Sequence, residues 1–196
     1  MRITKAPEAR RQEIIDAART CFEEQGIDRT SMNGIAETVG VAKGLVYYYF
    51  SSKDELAEAV VNQLIAGLDE ELQSALDRDD LSFHDKLSAI LNVYFQTIQS
   101  HPTILAYRPS RPGMSSLIRD RLSGIAFAHA SQLLLTARRQ QLVRIEYPEY
   151  MLKILIRGLG DLYIEGIHEP QVHATLIEQT LGLERGRLEL GGASRP

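Results

Sequence analysis

Lys43, Tyr47, Tyr48, Tyr49 and Lys53 bring two ammonium groups and three phenols into one stretch, TSMNGIAETVGVAKGLVYYYFSSK, residues 30 to 53. What these groups share is hydrogen-bond donation to electron-rich oxygen and nitrogen. A lysine can donate to guanine O6 and N7 or to a phosphate, and a tyrosine hydroxyl donates from the end of a stiff apolar body. Thr30 and Ser31 add two hydroxyls at the start of the stretch. Three consecutive tyrosines on one short helix cannot all face a small core, so part of the set must look outward. Gly44 stands among them. Glycine inside a helix costs about 1 kcal/mol against alanine, and a close approach of its backbone to something large accounts for that cost.

Other chemistries find less support. His84-Asp85, His129 and several serines are present, but no nucleophile elbow, phosphate-binding glycine loop or HExxH accompanies them. Glu165 and His168 form a single Glu-x-x-His, half of what a di-iron bundle displays. They are expected as an exposed pair near a helix end, where a cationic His suits the dipole. Cys21 is the one cysteine, which excludes an internal disulfide and a multi-thiolate zinc site. The expectation is a non-enzyme with no metal and no cofactor.

The donors need elements to hold them. Residues 31 to 38 and 42 to 48 read as two short helices joined by a turn at Gly40, a helix-turn-helix. Ile35 and Ala36 point inward from the first, and Val41, Leu45 or Val46 from the turn and the second. A Cβ at Gly40 would disfavour a left-handed turn, and Thr30 or Ser31 can cap the first helix. Upstream, residues 7 to 25 place Ile14, Ala18, Cys21 and Phe22 on one helical face, between Pro7 at the start and Gly26 at the end. Downstream, Ser52 and Glu55 form a capping box that opens a helix from about 53 to 77, striped by Leu56, Val60, Leu64, Ile65, Leu68 and Leu72.

Further helices are predicted over 82 to 100, 114 to 141, 148 to 168 and 170 to 183, with one or two helical turns within 103 to 108. RPSRPGM interrupts them with two prolines and a glycine. No stretch alternates at period two for long, so the fold class is all-α, with about nine helices.

The chain has 196 residues, 44% hydrophobic and 24% charged, enough for a real core. Its formal net charge is −4, which at first speaks against nucleic acid. Divided at Lys53 the figure changes meaning. Residues 1 to 53 hold 8 basic and 7 acidic groups, whereas residues 54 to 196 hold 14 and 19. Any phosphate contacts must come from a few placed groups, Lys43 and Lys53 with Arg2, Lys5 and Arg10, and from neutral tyrosine and threonine donors. No apolar run approaches the ~20 residues of a membrane span, and the basic start lacks a signal-peptide core. A cytoplasmic protein with no membrane partner is expected.

Thr30, Ile35, Ala36, Gly40, Val41, Gly44, Tyr47, Phe50, Lys53 and Leu56, at their spacing, resemble the N-terminal domain pattern of the TetR family of transcriptional regulators. The resemblance covers roughly residues 8 to 57. It implies an N-terminal three-helix DNA-binding domain, residues 1–53, with the helix-turn-helix at about 31–50, and a larger helical effector-binding and dimerisation domain, residues 54–196. It implies that Lys43, Gly44 and Leu45 begin the recognition helix, that Tyr47, Tyr48 and Tyr49 contact phosphate or base methyl groups, and that Thr30 or Ser31 and Lys53 contact backbone phosphate. Two positions depart from the pattern. Ala42 stands where serine is frequent, and Leu45 is apolar where a base-reading polar residue is more informative.

Residues 148 to 168 are apolar on two sides, as befits a helix shared between its own domain and a partner. Met151, Leu155, Leu159 and Leu162, with Leu176 and Leu181 of the next helix, are the expected homodimer interface, and Gly158 and Gly160 would permit close helix approach. Two-fold symmetry presents two recognition helices to a pseudo-palindromic double-stranded operator. The resemblance also implies a pocket for a small-molecule effector between residues 53 and 141, where Tyr94, Tyr107, Phe127, His129 and Arg108 or Arg111 are the candidates. A repressor released by its effector is the principal expectation, and a dimeric DNA-binding regulator without an effector is the alternative.

Overall fold

The computed structural model describes residues 6–105 and 114–191. Among the described residues all regular structure is helical: α1 (Pro7–Gln25), α2 (Met32–Val39), α3 (Lys43–Tyr49), α4 (Lys53–Leu76), α5 (Phe83–Ser100), α6 (Pro102–Leu105), α7 (Met114–Arg139), α8 (Pro148–Ile164) and α9 (Pro170–Leu181). The all-α reading holds.

Two compact units divide the chain. One takes Met1–Gly67 and Ile98–Ile118, the other Leu68–Thr97 and Arg119–Pro196. In the first, α1 buries Ile14, Ala18, Cys21 and Phe22, the stripe that its period predicts, and Ile15 beside them. Leu56, Val60, Leu64 and Ile65 of α4 are buried too. Asp16 of α1 accepts from the amide of Gln63 at 3.3 Å. The four-residue α6 docks on α1: Thr103 donates to the Phe22 carbonyl at 3.2 Å, His101 Nδ1 lies 2.9 Å from Glu23 Oε1, and Ile104 is fully buried.

Local signals set the helix ends. Ser52 Oγ accepts from the Glu55 N–H at 3.1 Å, while the Glu55 carboxylate reaches back past Ser52 to the N–H of Ser51 at 2.7 Å. The box thus closes one residue earlier than its sequence signature. Ser82 and Asp85 build a second, reciprocal box at the start of α5.

Three helices, α7, α8 and α9, stop short of their predicted ends, α9 at Leu181 before a left-handed Gly182. α8 finishes at Ile164, not 168, because Gly166 turns left-handed at φ 93 and Ile167 N–H bonds back to the Leu162 carbonyl at 3.0 Å, a Schellman closure. Glu165 and His168 therefore do not share a helix. His168 folds onto Tyr163, ring to ring at 4.2 Å, with Nε2 2.9 Å from the Tyr163 carbonyl. α7 ends at Arg139 by the same closure, with Gln141 at φ 60.

In the second unit, residues past α9 form a strap. Glu178 is fully buried, and its two carboxylate oxygens accept the N–H groups of Gly186 at 2.9 Å and Leu188 at 2.8 Å. Asn92 of α5 donates to the Glu189 carbonyl and accepts from the Gly191 N–H, both at 2.8 Å.

Candidate nucleic-acid interface

The turn between α2 and α3 is built from the sequence outward. Ser31 caps α2, its Oγ accepting the Gly34 N–H at 3.0 Å. Met32, Ile35 and Ala36 are buried on α2 and Val46 on α3. Gly40 sits at φ 74, and the Val41 N–H reaches the Ala36 carbonyl at 2.9 Å. That left-handed residue lets the second helix start within three residues of the first. Phe50 ends α3 buried, with the Arg11 guanidinium 5.0 Å from its ring centroid.

With Val46 turned inward, the opposite side of α3 faces outward. Lys43 and Gly44 are exposed, Tyr48 is 79% exposed and Tyr47 44%, while Leu45 and Tyr49 are half-buried. The Lys43 ammonium lies 5.5 Å from the Tyr47 ring centroid, and Tyr48 and Tyr49 meet edge to face at 5.1 Å. Among the described residues, a Cβ added at Gly44 would meet nothing within 4 Å. No internal packing asks for a glycine there. Ala42 provides no side-chain cap.

Two of the predicted donors point the other way. Thr30 is 4% exposed, and its hydroxyl lies 2.8 Å from the Gly26 carbonyl and 3.2 Å from that of Cys21. Lys53 Nζ donates to the carbonyls of Ile27, Asp28 and Thr30 at 2.7, 3.1 and 3.1 Å. Position in the motif was legible for both, side-chain direction was not. For Lys53 it depends on where a loop in a different part of the chain turns its carbonyls, and for Thr30 on how its own turn folds back onto Gly26 and Cys21.

Of the effector candidates, Tyr94, Phe127 and His129 lie in the second unit. Tyr94 is half-buried, and burial pushes its phenol up to about 12. Phe127 is half-buried beneath the Lys153 ammonium, 5.6 Å from its centroid. His129 is buried, with Nε2 2.7 Å from Asp69 Oδ1. Tyr107, Arg108 and Arg111 lie outside the described residues, as do Arg2 and Lys5. An open hollow of about 530 Å³ is lined by Arg138, Gln141, Val143, Arg144, Ile145 and Glu146, none of them a predicted effector residue.

On α8, Met151, Leu155, Leu159 and Leu162 are half-buried, as is Leu176 of α9, and Leu181 is buried. The uncovered apolar side chains form the neighbouring stripe, Tyr150 at 66% and Ile154 at 70%, with Tyr147 just before the helix. Three or four residues apart, they continue to Gly158, where a Cβ meets nothing within 4 Å. The apolar wrap of α8 was visible in its sequence, but not which stripe its own domain covers.

Fold and site together define an all-α protein with an N-terminal helix-turn-helix whose second helix presents amine and phenol donors. Residues 14–60 match the family profile of bacterial regulatory proteins, tetR family. Over these residues the chain carries a DNA-binding domain of the type found at the N-terminus of TetR-family regulators. It is 28% identical over 112 residues to the HTH-type transcriptional repressor KstR2 of Mycolicibacterium smegmatis, covering 57% of this chain and 54% of that protein. It is 41% identical over 54 residues to the HTH-type transcriptional regulator TtgR of Pseudomonas putida, 28% of this chain and 26% of the relative. The matched span is about half the length of these curated relatives or less. Among solved structures, a transcriptional regulator from Cytophaga hutchinsonii superposes with TM-score 0.76 at 16% identity, covering 87% of this chain and 96% of the other. The SmeT–triclosan complex superposes with TM-score 0.67 at 21% identity, covering 96% and 98%. These structural likenesses establish the fold. No helix among the described residues is long and apolar enough to cross a membrane.

Proposed function

We propose that the chain is a transcriptional repressor that binds a pseudo-palindromic DNA operator as a homodimer and is released by a small-molecule effector. Residues 1–53 serve as the DNA-binding domain and residues 54–196 as the effector and dimerisation domain. The observation that carries this reading is the outward face of α3, where Lys43, Tyr47 and Tyr48 surround an exposed Gly44 that internal packing does not require. Lys43 is the base or phosphate donor nearest the helix start, the phenols donate alongside, and Gly44 lets the sugar-phosphate backbone approach. Ser31, exposed at the cap of α2, adds a hydroxyl.

The α8 stripe supports the homodimer. Tyr150 and Ile154 in water leave apolar area whose burial is worth about 25 cal/mol per Å². A second copy covers both stripes at once through a two-fold axis. The effector reading leans on the family and on relatives such as SmeT, whose solved complex contains triclosan. In this chain it concerns Tyr94, Phe127 and His129, with Tyr107 and Arg108 beyond the described residues.

Selection of bound fragments from random double-stranded DNA tests the reading. The expected product is two inverted half-sites, their centres about one helical turn of 10–10.5 bp apart or a multiple of it. Recovery of no paired sequence defeats it. Dissociation of the selected complex by candidate metabolites tests the effector, and an operator affinity indifferent to every ligand the protein binds removes that part alone.

A further inference from the structure

Lys53 directs its charge into the protein. An ammonium has three N–H donors, and the carbonyls of Ile27, Asp28 and Thr30 accept all three. These carbonyls converge because the chain turns sharply past α1. Gly26 sits at φ 81, the Thr30 N–H returns to the Gly26 carbonyl at 3.2 Å, and the Thr30 hydroxyl is bound to the same oxygen at 2.8 Å. The turn lies beside the C-terminal end of α1, where exposed carbonyls gather partial negative charge and a cation is favoured.

We infer that Lys53 is a positioning residue of the DNA interface: its ammonium braces the α1–α2 turn from the start of α4 and makes no phosphate contact. Ser31, which caps α2, directly follows Thr30, whose carbonyl Lys53 holds. Fixing that carbonyl fixes where α2 begins, and through the Gly40 turn where α3 points. The consequence for DNA rests on the function proposed above. The brace itself does not.

The two roles differ in salt dependence. A lysine that neutralises a phosphate contributes about 0.9 to the log–log slope of affinity against salt, so its removal makes the slope shallower by that amount. Removing a brace weakens binding at every salt concentration and leaves the slope alone. The experiment compares wild-type protein, Lys53→Met and Lys53→Arg on the operator that wild type selects. Lys53→Met is expected to bind at least about tenfold weaker with a slope changed by less than about 0.3. Lys53→Arg is expected not to restore affinity, since a planar guanidinium cannot aim its donors at three carbonyls converging on one point. A slope shallower by about 0.9 in Lys53→Met, affinity regained in Lys53→Arg, or unchanged affinity in Lys53→Met each overturns the inference.

A measurement on the wild type covers the case in which the variants do not fold. The Lys53 ammonium protons, observed by ¹⁵N–¹H NMR, are expected to exchange slowly with water in the free protein and equally slowly in the operator complex. Fast exchange in the free protein, or scalar coupling to a phosphorus in the complex, overturns the brace. Slow exchange in a protein that selects no operator sinks the DNA reading and leaves the brace standing.

Discussion

On α3 the uncovered side chains are Lys43, Tyr47 and Tyr48, and on α8 the uncovered apolar ones are Tyr150 and Ile154, among the exposed charges of Glu149, Lys153, Arg157 and Asp161. Both helices leave large groups in water, and each has an exposed glycine next to or in line with them, Gly44 and Gly158, with open space where a Cβ would be. Their chemistry differs. α3 offers an ammonium and phenols, which a polyanion can use and water tolerates. α8 offers the aliphatic chain of Ile154 and the ring of Tyr150, apolar area that gains by leaving water, although Tyr150 also carries a phenol and charged side chains flank both. Two surfaces of one protein thus ask for different partners, and a substitution on α3 should leave dimerisation unchanged.

The largest expected effect is on α8. Ile154→Asp puts a charge at the centre of the proposed dimer seam, where an unpaired buried carboxylate is strongly unfavourable. Sedimentation should show a monomer, with helix content retained. Operator binding should fall by 100-fold or more, because the second half-site is no longer bound intramolecularly. A variant that stays dimeric and keeps its affinity would break the comparison, since α8 would then have no more need of a partner than an ordinary surface.

Lys43→Ala comes next. Loss of a base or phosphate donor at the start of α3 should weaken operator binding about 10- to 100-fold, with the dimer intact. If Lys43 touches phosphate, the salt slope drops by about 0.9 as well. If it reads a base, the loss is concentrated at one operator position. Unchanged affinity at matched salt would remove Lys43 from the interface.

The contrast between the two helices also explains what the sequence revealed. The helix-turn-helix was legible because its constraints are local: a glycine in a left-handed turn, a serine cap, alternate inward residues within a few positions. The stripes of α1 and α4 followed from period alone, and Ile14, Ala18, Phe22, Leu56 and Val60 are all buried. Legibility ended where a residue's role depends on a distant one. Lys53 has the right type and position for a phosphate donor, yet its partners are carbonyls of the turn after α1, more than twenty residues away. On α8 the apolar residues wrap too far round for period to separate the domain-facing stripe from the exposed one. The early end of α8 was marked by Gly166, but a glycine two residues past a helix end signals termination only when its dihedral is known.

A smaller effect separates damage to the second unit from damage to its surface. Burial pushes the Glu178 carboxyl up, but the backbone N–H groups of Leu188, Gly186 and Arg187 and the nearby Arg185 together hold it below its ordinary value of 4.5. With the folded value depressed, its contribution to stability is present above about pH 4.5 and is lost as pH falls through the folded value. Amide exchange in residues 184 to 191 should therefore accelerate on acidification before exchange in α2 and α3 does. Glu178→Gln, which keeps one acceptor oxygen of two, should reproduce the loosening at neutral pH at a cost of about 1–2 kcal/mol. Loosening that begins in the helix-turn-helix would contradict the assignment.

The finest test uses the two glycines. Among the described residues, alanine at Gly44 or Gly158 meets nothing within 4 Å, and both lie in helices. Each substitution should raise the stability of its helix by up to about 1 kcal/mol, read as a higher Tm. If α3 lies against DNA and α8 against a second copy, the added methyl intrudes only in the complex. Gly44→Ala should then weaken operator binding several-fold at unchanged dimer Kd. Gly158→Ala should raise the dimer Kd, and operator affinity should fall only at protein concentrations near that Kd. A variant more stable on its own and poorer with its partner is difficult to obtain from a surface that touches nothing. If both alanines raise Tm and leave both affinities alone, the glycines are incidental and only the side chains distinguish the two faces.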